Sequence, residues 1–233
     1  MKQKIINFKN INFYNTDFSK ILKKINKGGY LVAPAASSLS KINKNKKYYE
    51  ALVKSNVAIL DSGFFCILLR AFKGFKVKKF SGYLFLKNFL NIKFTKNTRF
   101  LIIDPNFIES KHNLAYLNKK NIFNIKSYIA PKYNKNINDK NLLKIIKKYK
   151  PRYILVNIGG EVQEILALYI REKINFKISI LCTGAAIAFL TKQQAPINSL
   201  IDSLYLGWFV RLIYNPRKYF FRILGSLSLI KLF

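Results

Sequence analysis

Ten acidic residues stand against 42 lysines and arginines in this 233-residue chain, so the carboxylates form a short list of candidates for chemistry. Glu50, Asp139 and Glu172 fall on lysine-rich helical segments and read as solvated, and Asp17 suits the first turn of a helix, where negative charge meets the dipole. Asp61, Asp104, Glu161 and Glu164 sit beside the ends of apolar runs, with Glu109 and Asp202 less well placed. Asp61 is the sharpest, because it ends the run Val57–Leu60 and is followed by Ser62-Gly63. A partly desolvated carboxylate at the mouth of a sheet is a fit general base. An aspartate capping the next helix would look the same. Position alone leaves both readings open.

Arginine gives a second signal. Arg211, Arg217 and Arg222 cluster in a chain whose dominant base is lysine. The planar guanidinium fork suits two oxygens of a diphosphate, and a helix starting at Pro216 would add its amino-terminal dipole. No Walker loop, GxGxxG or Ser-His-Asp arrangement is present, nor an Asp-x-Asp pair to hold Mg²⁺. With one histidine, His112, and two cysteines in apolar runs, Cys66 and Cys182, a zinc site is not expected. The cysteines read as buried free thiols in a reducing cytoplasm.

These residues need elements to hold them. Tyr153–Ile158 is apolar and β-branched, Gly159 and Gly160 break it, and from Glu161 a helical period brings Ile165, Leu168, Tyr169 and Glu172 round at three- and four-residue spacings. Ile178–Cys182 is a second buried strand, ending at Thr183-Gly184. Such a unit is expected to close as a right-handed parallel crossover. Ligands bind outside the carboxyl ends of such strands, which places Gly160, Glu161, Gln163, Glu164, Thr183 and Gly184 at one edge.

Elsewhere, residues 4–14 alternate as a hairpin or edge strand, and Asn15 or Thr16 can cap a helix carrying Phe18, Ile21, Leu22 and Ile25. Further strands are expected at Tyr30–Ala33, Val57–Leu60, Arg99–Asp104 and Asn124–Ile129, with helices between them. The alternation predicts an α/β fold: a Rossmann-like, mostly parallel sheet flanked by helices over residues 1–195. Residues 196–233 read as a basic, amphipathic helical appendage that associates with a membrane surface, beginning with one helix over 197–215. Tyr205, Trp208, Phe209 and Leu212 would form its apolar stripe, and a last helix starts at Pro216.

The net charge of +32 calls for an anionic partner, unless codon drift toward A and T has enriched Lys and Asn along with Ile, Phe and Tyr. A nucleic-acid-binding protein would interleave its aromatics with lysine on exposed strands, whereas here they lie mainly on apolar faces. A non-catalytic membrane-surface scaffold would keep the tail without needing Asp61 and Gln163 together. The start, MKQKIINFKNINFY, is not expected to act as a secretion signal, and no run reaches the length of a membrane-spanning helix.

Over nearly its whole length the chain resembles the bacterial WecG/TagA/CpsF glycosyltransferases. The matching pieces, in order, are VAPAASSL (32–39), LDSGFF (60–65), KKFSG (78–82), IGGEVQE (158–164), CTGAAIAFL (182–190) and LYLGWFVRLIYNPRKYFFR (204–222). The resemblance implies an inverting, metal-independent enzyme without a cofactor. It would move a hexose derivative, such as N-acetylmannosamine, from a UDP-sugar to a polyprenyl-diphosphate-linked sugar in cell-surface polysaccharide synthesis. The work would be done peripherally, at the cytoplasmic face of the bacterial membrane, on an anionic surface and without nucleic acid. It also implies Asp61 as base, Gln163 as a sugar contact, and Arg211, Arg217 and Arg222 closing over the diphosphate. Gly160, Glu161, Thr183, Gly184 and Lys79 would line the substrate site. Some positions depart from the family pattern: Ala33-Pro34-Ala35 stands for Thr-Pro-Asn, Lys79 for arginine, Glu161-Val162 for Pro-Lys, and Ser62 comes between the aspartate and the glycine. These changes point to a subfamily with another sugar.

Overall fold

The computed structural model describes residues 4–134, 136–194, 201–202 and 205–233. The hairpin β1 (Ile5–Phe8) and β2 (Ile11–Tyr14) opens the chain and turns at Lys9 and Asn10, both with positive φ, as a tight two-residue loop requires. Then come α1 (Phe18–Ile25), β3 (Gly29–Val32), the short α2 (Ala36–Leu39), α3 (Lys46–Val53) and β4 (Val57–Ile59). Next are α4 (Gly63–Lys73), α5 (Gly82–Leu90), β5 (Phe100–Asp104), α6 (Phe107–Lys119) and β6 (Ile125–Ile129). The last strands alternate with α7 (Lys140–Tyr149), as β7 (Tyr153–Val156), α8 (Val162–Lys173), β8 (Ser179–Cys182) and α9 (Ala186–Leu190). The tail holds α10 (Gly207–Tyr214), α11 (Pro216–Leu227) and a 3₁₀ turn, Ser228–Leu232.

Among the described residues, eight strands form one sheet in the order β1-β2-β4-β3-β8-β7-β5-β6, parallel throughout except for the β1–β2 hairpin. The α/β class expected from the sequence is therefore the class observed. Successive residues of the central strands serve opposite faces. Tyr30, Val32, Ile180, Cys182, Ile154 and Val156 join the cluster under α3, α4, α7 and α8. Leu31, Leu181 and Leu155 join the one under α1, α5 and α9. A strand buried on both sides reads as an unbroken apolar run, which is why these were visible in the sequence. The two halves of the sheet meet where β3 and β8 pair, Val32 opposite Cys182. Strand order switches there, and in parallel sheets such a switch leaves a crevice outside the carboxyl ends of the strands.

Four local expectations change, the first at Asp139: read as solvated, it is buried at the start of α7, accepting the Leu142 N–H at 2.8 Å and the Tyr128 and Tyr133 hydroxyls at 2.6 Å. Asp17 is the residue before α1, while Asn15 instead links Lys76 O and Lys78 N–H across the chain. The single helix expected over 197–215 is interrupted at Tyr205, whose φ is +64, and resumes at Gly207; residues 195–200 and 203–204 lie outside those described. Tyr205 thus leaves the apolar stripe assigned to it and packs inward. No helix among the described residues is long and apolar enough to cross a membrane.

Candidate active site

Asp61 follows β4 at the carboxyl edge of the sheet and is half-buried. Its capping alternative is filled by its neighbour: Ser62 accepts the Phe65 N–H at 3.2 Å and begins α4. The Asp61 carboxylate instead accepts the Gly82 N–H at 2.8 Å, at the start of α5. A Cβ at Gly82 would lie 3.0 Å from Ala33 Cβ and 3.1 Å from the Thr183 carbonyl oxygen, so α5 starts tightly against the ends of β3 and β8 and a larger residue there would push its neighbours aside. Burial raises the Asp61 carboxyl above its ordinary range; the Gly82 N–H, Lys79 and Arg211 pull it back, and Asp202 pushes it up. The result is a carboxylate that stays more basic than usual even with Lys79 and Arg211 near it.

The tail supplies one of those cations. Arg211, on α10, has its guanidinium 4.7 Å from the Phe189 ring centroid, and burial lowers its pKa although Asp61 counters this. Its Nε is buried with no hydrogen-bond partner among the described residues, which leaves a donor for an anion at this edge. Lys79, expected at the substrate, gives its ammonium to Asp202, 2.6 Å from both the carboxylate and the backbone oxygen. Ser81 donates to the other Asp202 oxygen at 2.6 Å. Tyr205 lies against Gly63, where an added Cβ would come within 2.5 Å of its ring, and its hydroxyl accepts from Arg70 at 2.9 Å. Arg222 stands close enough to Arg211 to depress it, stacks at 5.6 Å on Tyr219 and is exposed, as is Arg217.

Across the crevice, Gln163 is fixed at both ends of its amide. Its oxygen accepts the Gly184 N–H at 3.0 Å and its nitrogen donates to Glu164 at 2.9 Å. Thr183 Oγ1, next to Gly184, is buried with no hydrogen-bond partner among the described residues. Gly159 and Gly160 are exposed at the edge, followed by Glu161 in a strained backbone conformation with φ +73. Glu161 is turned to α3 and the loop before it, accepting from Lys41 at 2.7 Å and Asn45 at 3.2 Å. Asp104, at the end of β5, is fully buried and accepts from Asn113 and Asn157 at 2.8 and 2.7 Å.

Asp61, Lys79 and Arg211 therefore converge on one place, and Gln163, Thr183 and Gly184 line the β8 side of the same edge. Glu161 belongs to a neighbouring cleft of about 250 Å³ with Asn45, Tyr133 and Gly160. A second cleft, of about 390 Å³ between Arg99, Arg152 and Lys177, is basic but opens where β5, β7 and β8 begin, at the opposite edge of the sheet. Sequence reasoning missed Ser81, Tyr205 and the placement of Asp202. The usable signal for Asp202 was its solitude, as the last acidic residue before a wholly basic tail. Set against known protein families, residues 6–233 match the model described as the glycosyl transferase WecG/TagA/CpsF family. No curated protein matches the chain.

Proposed function

The chain belongs to the WecG/TagA/CpsF glycosyltransferase family, whose enzymes act in cell-surface polysaccharide synthesis, and from that premise we propose that it transfers a hexose derivative from a UDP-sugar to a polyprenyl-diphosphate-linked sugar with inversion. Asp61 is the base. An acceptor hydroxyl attacks the anomeric carbon, its proton passes to Asp61, and the carbon–oxygen bond to UDP breaks with its electrons leaving on the diphosphate. Arg211 meets the charge that develops there, a task metals perform in other transferases. We assign residues 196–233 as the appendage that brings this arginine to the edge while resting on the inner surface of the bacterial membrane. Gln163, Thr183 and Gly184 face the donor sugar, and Ala33 and Ala35 in place of polar residues favour a sugar other than N-acetylmannosamine.

One observation carries the reading: the Asp61 carboxylate, oriented by the Gly82 N–H, lies in the field of Arg211 at a carboxyl-terminal strand edge. The test offers the full chain a panel of UDP-sugars and a polyprenyl-diphosphate-linked acceptor, with EDTA present. Transfer of one sugar is expected. Asp61→Asn should lower turnover by about 10²–10⁴-fold, the usual contribution of a positioned base, with UDP affinity nearly unchanged. Full turnover in that variant would remove Asp61 from the mechanism.

A further inference from the structure

We propose that Asp202 is a positioning residue of the transfer site, carried in from the tail to hold Lys79 and Ser81 and, through the start of α5, to set the Asp61 carboxylate. The inference rests on the transferase reading above and adds to it a part that the catalytic edge does not itself contain.

Both oxygens of the Asp202 carboxylate are used, one by Lys79 and one by Ser81, each at 2.6 Å. The pair is largely withdrawn from solvent, with side-chain exposures of 10% for Lys79 and 13% for Asp202. An ammonium at that depth must be paired, and the Asp202 backbone oxygen adds a further contact at 2.6 Å. Ser81 also caps α5, accepting the Leu84 N–H at 3.1 Å. Its successor, Gly82, donates to Asp61. An unbroken chain of contacts therefore runs from the tail carboxylate through the helix cap to the proposed base.

Charge gives this contact a role beyond packing. The groups facing Asp61 are Lys79 from the loop before α5, Arg211 from α10, Asp202 from the tail, the Cys66 thiol from α4 and the Gly82 N–H. Paired with Asp202, Lys79 is held as a near-neutral unit. Unpaired, its ammonium would be drawn to the Asp61 carboxylate and would weaken it as a base, or to the donor diphosphate. Asp202, by occupying Lys79, also leaves Arg211, whose Nε has no hydrogen-bond partner among the described residues, as the donor for an anion. A carboxylate on the tail and its lysine on the core thus make the base competent only when the tail is seated.

Asp202→Asn, Asp202→Glu and the charge-balanced Lys79→Met/Asp202→Asn are compared in the full chain, following Asp61 by carboxyl ¹³C NMR and measuring kcat, KM and UDP affinity. In Asp202→Asn the Asp61 titration should move to lower pH. Turnover should fall, though by less than the roughly 10²–10⁴-fold of removing the base, with UDP bound as tightly or more so. Asp202→Glu and the double variant should each return the titration toward the wild-type pH. An unmoved titration with unchanged kcat in folded Asp202→Asn would overturn the proposal, as would a double variant no better than the single one. If no form transfers sugar but the Asp61 titration moves as stated, the positioning role stands and the transferase reading falls.

Discussion

Glu164 and Asp61 are both carboxylates drawn out of water, but their surroundings give them different consequences. Asp61 has cations and an N–H turned to it. Glu164 has the Gln163 amide on one oxygen, and its other oxygen is buried with no hydrogen-bond partner among the described residues. Burial pushes the Glu164 carboxyl from 4.5 up to about 7, against the smaller opposing effect of Gln163. The folded chain therefore keeps a proton between those pH values that the unfolded chain has released. Stability from this group is complete below the ordinary glutamate range and is lost as pH rises toward 7. Glu164→Gln, which stays neutral, should lessen that decline by on the order of 3 kcal/mol, read from urea unfolding at pH 4.5 and 8. Asp61 and Asp104 titrate in both proteins and cancel in the comparison. Parallel pH dependence of the two would show that Glu164 is hydrated and charged in the fold.

At the scale of elements, the start of α4 shows how the tail is seated. Gly63 is the first residue of that helix, and a methyl group there would come within 2.5 Å of the Tyr205 ring. Alanine is a better helix former than glycine by up to about 1 kcal/mol, so Gly63→Ala should leave the core as stable as before or slightly more so. Tyr205 must move, however, and with it the Arg70 contact and the path to Asp202 and Arg211. An error of about 1 Å in a catalytic arrangement can cost roughly 10²-fold, so turnover should drop sharply while thermal unfolding does not. Retained turnover would mean that Tyr205 has room to yield. The elements themselves were largely legible in the sequence: β7, α8 and β8 came from an apolar run, a glycine break and a helical period. Helix starts at Ser62, Ser81 and Asn106 carry side chains that accept N–H groups of the first turn. The break at Tyr205 was not legible, because contact with Gly63 and Arg70 overrides a continuous amphipathic pattern. Asn15 was misread as a cap for the same reason, its partners lying more than sixty residues away. Asp61 could be found because a strand end is a local feature. The Lys79–Asp202 pair spans 123 residues and only the fold brings it together.

For the whole molecule, the issue is where the net charge of +32 and the exposed apolar groups act together. Many aromatics are internal: Phe89, Phe94, Phe100 and Tyr153 form one group with ring centroids 5.0–6.4 Å apart. Those of the tail differ. Trp208 is 53% exposed and Phe221 74%, and Phe209, Ile213, Phe220, Leu224 and Leu227 are exposed with them on α10 and α11. Arg217 and Arg222, both exposed, lie on α11 among them. The far end of the tail is anchored, since Leu229 and Leu232 are buried and Phe233 packs on Phe8, Phe65 and Phe72. The exposed groups are thus held at a fixed place on the core, near the edge where Arg211 meets Asp61. Large apolar side chains left outward beside arginines fit the headgroup zone of an anionic bilayer, where a lipid-linked acceptor would be met. Full burial of one such side chain is worth roughly 1.5–3 kcal/mol. Trp208→Ser with Phe221→Ser should therefore weaken binding to vesicles of anionic lipid by at least about tenfold with little loss of thermal stability, as more than half of each side chain is already exposed. Arg217→Gln with Arg222→Gln should instead flatten the dependence on the anionic lipid fraction, each cation near the surface contributing about 1 kcal/mol. Turnover on a water-soluble acceptor analogue should survive the apolar pair of changes, and turnover on the lipid-linked acceptor should not. Vesicle binding that follows charge alone and ignores Trp208 and Phe221 would assign the surface to general attraction by the lysines and take the membrane role away from the tail.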